Sequence, residues 1–370
     1  MTRETDRTPE RLPQKTSKLE AVIDTDQVDA VLDTLMEAYS ANAFPYHKES
    51  VRLPQDERHM PRTLEYGTKE HAMYLWNTCY YMRGGTKSTQ AFRALSALFD
   101  ERPDLFDCNN AQEWGQDEIE AELKSHGLGF QKTVSKHWIE NSERMRVLYD
   151  GDPRNIFRNL PDSGRKYDEL VRRIKRDPRG GGFYGFREKM TSMITYYLMD
   201  AGLVETFNFP IPVDLHVARV SIANGLVHFP GIEYPQDVYG SELMGLLREA
   251  YFDYGERHSV SPLDLCNAVW LLSESLCGMA PGNRVIEPNG RENREGRLTK
   301  LIPEPVRIDD PALISRYEKS CRHCPVEATC DLNVHGGAMY YAAGQLAIRG
   351  YRERFPDPGI FPPSFLNETT

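Results

Sequence analysis

Apolar residues recur at helical spacing along most of this chain. Val28, Val31, Leu32, Leu35 and Met36 predict an amphipathic helix over 28–39. Ala72, Met73, Trp76, Cys79 and Tyr80 predict a second over 69–82, stopped by Arg83-Gly84-Gly85. Thr86 or Ser88 can cap a third that runs through Ala91, Leu95 and Leu98. A helical stretch begins at 117–124 and meets a longer helix at a Gly-Leu-Gly turn. Met190, Met193, Ile194, Tyr197 and Leu198 share one face of a further helix. Leu243, Leu246, Leu247 and Tyr251 form another stripe, and the run LDLCNAVWLLSESLC ends at Cys277. A last helix is expected over 338–349. Strand signals are few, so the pattern predicts an all-α protein.

The aperiodic stretches divide the chain. Residues 1–25 are polar and read as a disordered tail. Residues 43–67 hold three prolines among mixed charges and read as irregular. The segment 278–320 is polar, with several prolines and the charged run NGRENREGRLTK, and reads as an insertion. A chain of 370 residues exceeds one ordinary core, so two domains are expected.

The net charge of -10 excludes a uniformly basic nucleic-acid binder. Charge is uneven, however. Between Arg165 and Lys189 stand nine basic residues and four acids, a local excess of +5 that suits phosphate contact. This run ends in a glycine turn, Arg179-Gly-Gly-Gly-Phe-Tyr-Gly-Phe-Arg-Glu-Lys189, just before the Met190 stripe. A glycine turn ahead of a helix exposes backbone N–H groups that can hold a phosphate. Further on, Phe209-Pro-Ile-Pro-Val-Asp214-Leu-His216 has prolines that force an extended entry, so Asp214 can cap the helix that ends at Asn224-Gly225.

Seven cysteines without a secretory signal fit a reducing compartment and a metal site better than disulfides. Cys321, Cys324 and Cys330 are spaced C-x2-C-x5-C, so one short loop can aim three thiolates at one centre. A fourth comes from Cys277 or its rival Cys266. Four thiolates suit a zinc ion or an iron–sulfur cluster. No apolar run is long enough to cross a membrane.

Hairpin turn, Lys189, V-D-x-H and cysteine loop follow one another in an order that resembles the endonuclease III-like DNA glycosylases of the helix-hairpin-helix superfamily. The resemblance covers roughly residues 69–333. It implies a six-helix barrel with the hairpin over 69–213 and a cluster domain built from 26–68 and 214–370, with a DNA-binding cleft between them. It implies a [4Fe-4S] cluster on Cys277, Cys321, Cys324 and Cys330. By the same resemblance Lys189 is the nucleophile that attacks the sugar, Asp214 is the catalytic carboxylate, and His216 is structural. Gly185 and Arg187 fall in the hairpin, while Tyr81, Met82 and Arg83 are the candidates to push into the duplex. The expected partner is double-stranded DNA carrying a damaged or modified base, met by a monomer in the cytoplasm beside the nucleoid, or in a nucleus. Two departures stand out: Arg187 replaces the second hairpin glycine, and forty-three residues separate Cys277 from Cys321, far more than in the family. A non-enzymatic iron–sulfur DNA-binding protein, or a related enzyme acting on RNA or a nucleoside, is the alternative.

Overall fold

A computed structural model describes residues 21–47, 53–82, 88–110, 113–128, 131–161, 166–177, 180–228, 240–277, 315, 319–330, 337–342 and 345–350. The tail before residue 21, Arg83, Thr86, Arg165, Arg179 and nearly all of the 278–320 insertion lie outside the described residues. Within them the chain is mostly helical, as the periodicity predicts.

The N-terminal part starts with β1 (Val22–Ile23) and α1 (Thr25–Ser40). Asp24 caps α1 by accepting from the Gln27 N–H at 3.0 Å, and Val28, Val31, Leu32 and Leu35 turn inward. An irregular stretch then leads to α2 (Lys69–Tyr81), capped by Thr68. The sequence marks one buried stripe on α2, but every residue from His71 to Tyr81 is buried. Next come α3 (Ser88–Glu101), α4 (Gln116–Ser125) and α5 (Gln131–Tyr149), with α4 and α5 packed on each other.

α6 (Lys166–Ile174) and α7 (Glu188–Asp200) flank the glycine turn. α7 is central: α2, α6 and α10 pack on it, and all residues from Met190 to Met199 are buried. Its small polar residues are satisfied locally. Thr195 donates to the Thr191 carbonyl at 2.8 Å, and Ser192 meets the Tyr167 hydroxyl at 2.7 Å.

α8 (Leu215–Ala223) leads into β2 (Val227–His228), which pairs antiparallel with β1. α9 (Gly240–His258) buries Leu243, Leu247 and Tyr251, while Leu246 is exposed. α10 (Pro262–Leu272) starts at a Ser261 cap and continues as a π-turn, Ser273–Cys277. The expected helix over 338–349 is corrected. β3 (Gly337–Ala342) and β4 (Gln345–Gly350) form an antiparallel hairpin in which Tyr340 faces Ala347. Its Met-Tyr-Tyr and Leu-Ala-Ile runs are short, aromatic or branched in part, and bounded by glycines, which suits paired strands.

Long-range bonds tie the N-terminal elements to α8 and α10. The Asp24 N–H donates to the Leu226 carbonyl at 3.1 Å, and Gln27 Nε2 donates to the Asn224 carbonyl at 2.8 Å. Tyr46 reaches the Ala268 carbonyl at 3.1 Å. Buried side chains from Val28 to Val326 form one continuous apolar cluster.

Candidate active site and cysteine cluster

The turn between α6 and α7 is built from the sequence outward. Phe183 and Phe186 are buried against Trp76, whose ring stacks on Phe186 at 4.3 Å between centroids. The Phe183 N–H donates to the Ile174 carbonyl at 2.9 Å, which folds the turn back on α6. Asn141 of α5 clamps Tyr184, donating to its carbonyl at 3.0 Å and accepting from its N–H at 2.7 Å. Gly182 and Gly185 have φ of 65° and 78°, which favour glycine. A Cβ at Gly182 would overlap the Lys175 carbonyl.

The basic run divides between architecture and surface. Arg172 and Arg173 both bind Glu169, at 2.6 and 2.7 Å. These bonds, Arg172 first, pull the Glu169 carboxyl down to about 2. Arg173 also donates to the carbonyls of Ile156 and Arg158 at 2.7 Å each. Arg176 lies over the Tyr184 ring, 4.2 Å from its centre. Glu188 takes Lys175 at 2.8 Å and Arg248 at 2.6 Å, and both hold its carboxyl below the ordinary range. The side chains of Lys166, Arg187 and Lys189 have no hydrogen-bond or ion-pair partner among the described residues. Arg187 occupies the N-cap of α7 with an exposed side chain that does not cap it, so the helix begins with open N–H groups. Lys189 is half-exposed in the first turn.

Asp214 stands at the other helix start. The buried Phe209, Ile211 and Val213 hold the extended entry. Asp214 Oδ1 accepts from the N–H groups of His216 at 2.8 Å and Val217 at 3.2 Å. Lys189 and Asp214 therefore mark the N-termini of α7 and α8, each packed on α10. Around Asp214 lie Tyr197, Cys266 and Arg219, all within its field. Burial above all keeps the Tyr197 phenol and Cys266 thiol neutral, and the Tyr197 hydroxyl donates to Met82 Sδ at 3.4 Å. His216 meets Ser273 Oγ at 3.0 Å, a structural contact.

One expectation is corrected here. Tyr81 and Met82, taken as residues that enter the duplex, are 1% and 4% exposed. Tyr81 is the last residue of α2, buried from His71 onward, and Met82 is its C-cap residue, in contact with the Tyr197 hydroxyl.

The cysteines are brought together in part. Burial pushes Cys277 up to about 11 and Cys324 up to about 12, and each feels Cys321. Cys266 lies instead beside Asp214 and Asp200. The cysteine loop is tied to the end of α8 by Thr329, which donates to Asn224 Oδ1 at 2.9 Å. Arg219, only 8% exposed, faces Cys277 and donates weakly to Ser273 at 3.4 Å. Cys330 closes the short turn Glu327–Thr329. Among the described residues no three cysteine, histidine or carboxylate groups stand close enough to hold a metal ion as they are placed.

No family model matches this chain, and no curated protein matches it. Solved structures that resemble it include two glycosylases. Methanocaldococcus jannaschii 8-oxoguanine glycosylase/lyase in complex with 15mer DNA containing 8-oxoguanine is 12% identical, with a TM-score of 0.43, over 66% of this chain and 98% of that one. Methanocaldococcus jannaschii 8-oxoguanine DNA glycosylase is 14% identical, with a TM-score of 0.41, over 66% and 93%.

Sequence reasoning passed over three residues. Arg219 is a lone cation inside the apolar helix LHVARVSIA, a visible anomaly. Asp200 closes α7, where the helix dipole disfavours an acid. Asn141 left no such sign, because its partner lies forty-three residues away.

Proposed function

We propose that this chain is a DNA N-glycosylase that removes a damaged or modified base from duplex DNA. One observation carries the reading: a glycine hairpin delivers the unpaired side chains of Arg187 and Lys189 to the open start of α7, while Asp214 caps another helix on the same support, α10. The open N–H groups at the start of α7 and the Arg187 side chain suit a DNA phosphate. The Asp214 side chain stabilises positive charge that develops on the sugar as the C1′–N bond breaks. Its two backbone hydrogen bonds fix its aim.

Lys189 supplies a second activity. Its neutral amine attacks C1′, the base departs with the bonding electron pair and takes up a proton, and ring opening leaves an imine. Loss of the C2′ proton then eliminates the 3′ phosphate, which breaks the strand. Cys277, Cys321, Cys324 and Cys330 would hold a [4Fe-4S] cluster, which supplies a structural and electrostatic centre rather than the site of base loss.

The test is borohydride trapping and base release on duplexes with abasic sites, oxidised pyrimidines, 8-oxoguanine, uracil and mismatches. Wild type is expected to form a covalent species that Lys189→Ala loses. Base release without trapping, abolished by Asp214→Asn, leaves a glycosylase in which Lys189 contacts phosphate. Neither trapping nor release on any duplex overturns the reading.

A further inference from the structure

Lys189 is the second residue of a helix whose start has no side-chain cap. Arg187 occupies the N-cap position of α7, and its side chain makes no capping hydrogen bond. Uncapped helix ends fray. A residue in a fraying turn is poorly aimed, yet Lys189 has a reacting atom to meet. Whatever holds this turn must come from elsewhere in the chain.

Glu188, the first residue of α7, is where the turn is held. Its Oε1 accepts from Lys175 Nζ at 2.8 Å, and its Oε2 accepts from Arg248 at 2.6 Å. Lys175 directly follows α6, and Arg248 stands on α9, 60 positions along the chain. Neither cation has another side-chain hydrogen bond or ion pair among the described residues. The Glu188 carbonyl accepts from the Tyr167 hydroxyl at 2.9 Å, and that hydroxyl also meets Ser192 Oγ at 2.7 Å. Tyr167 is buried on α6. Side chain and backbone of one residue are thus tied to both neighbouring helices. The Glu188 carboxylate is 40% exposed, where ion pairs add little to stability, so what the ties fix is geometry. They also hold the turn from its flank. A capping side chain would occupy the same N–H groups that suit a phosphate; this arrangement leaves them open.

We propose that Glu188 is a positioning residue: clasped by Lys175, Arg248 and Tyr167, it holds the uncapped first turn of α7 so that Lys189 is aimed while the helix N–H groups stay open for a DNA phosphate. This rests on the reading of Lys189 as the nucleophile. Glu188 touches neither base nor sugar in this assignment; it acts through the backbone that it shares with Lys189. A nucleophile displaced by a fraction of an ångström to an ångström loses rate steeply, whereas phosphate contacts made elsewhere keep the duplex bound.

The experiment measures single-turnover borohydride trapping on a duplex with an abasic site, and affinity for a duplex with the uncleavable tetrahydrofuran analogue of that site. Wild type is compared with Glu188→Ala, Glu188→Gln, Arg248→Met, Glu169→Gln, Lys189→Ala and the double variant Glu188→Ala/Arg248→Met. Glu188→Ala and Arg248→Met should each slow trapping about tenfold. Neither should weaken binding of the analogue. Glu188→Gln, which keeps the side-chain shape and one carbonyl acceptor, should fall between wild type and Glu188→Ala. The double variant should be no slower than Glu188→Ala, because both changes undo one clasp. Glu169→Gln breaks ion pairs confined to α6 and should trap as wild type does. Wild-type trapping in Glu188→Ala and Arg248→Met, losses that multiply in the double variant, or a loss of analogue affinity as large as the loss of rate overturns this assignment alone. Wild type that forms no trapped species, or Lys189→Ala that still forms one, removes Lys189 as nucleophile and this assignment with it.

Discussion

Asp214 does two jobs that a pair of substitutions separates. As an N-cap it holds two backbone N–H groups; as a carboxylate it supplies charge. Asparagine caps a helix as well as aspartate does. Asp214→Asn should therefore keep its unfolding midpoint and lose base release, while Asp214→Ala should lose both, with a stability cost of about 0.5–2 kcal/mol. Parallel denaturant curves and release assays check this. Glu169 gives a pH prediction. Its carboxyl is held down at about 2 by Arg172 and Arg173, against an ordinary 4.5. A depressed folded-state pKa stabilises above the unfolded value and is lost as pH falls through the folded one. The stability gap between wild type and Glu169→Gln should be full above pH 4.5 and close as pH approaches 2. Urea titrations across that window measure it.

At the scale of elements, the hairpin depends on backbone space more than on charge. At Gly182 a side chain meets both a left-handed φ and the Lys175 carbonyl. Gly182→Ala should cost about 1–3 kcal/mol. Gly202 has the same φ of 65° but open space around it, so Gly202→Ala should cost about 1 kcal/mol. Chemical denaturation of the two variants side by side tests the difference. The hairpin's +5 excess was readable in the sequence; its division was not. Glu169 lies within one turn of Arg172 and Arg173, a local pairing, whereas Arg248 reaches Glu188 only because α9 passes beside α7.

For the whole molecule, the cysteines of the proposed cluster come from segments far apart in the chain. Cys277 ends the π-turn after α10, and the loop of Cys321 and Cys324 is held against it. Cys277→Ser should lower the iron and acid-labile sulfide of purified protein, and Cys266→Ser should leave both unchanged, since its thiol faces Asp214 and Asp200. Metal analysis of the two variants decides it; equal iron in both would remove Cys277 from the ligand set.

The sequence by itself determined what periodicity and local capping encode. Helix positions, the Asp214 cap, the buried face of α1 and the turn glycines all follow from residues within a few positions of one another. Tertiary structure decided the rest. It buried Tyr81 and Met82 by enclosing α2, turned the expected 338–349 helix into paired strands, and placed Cys277 rather than Cys266 beside Cys321 and Cys324. It also joined Gln55 to Asp200 across 145 positions. The reason is physical: spacing along a chain fixes which face of an element a residue occupies, but only packing fixes what that face meets.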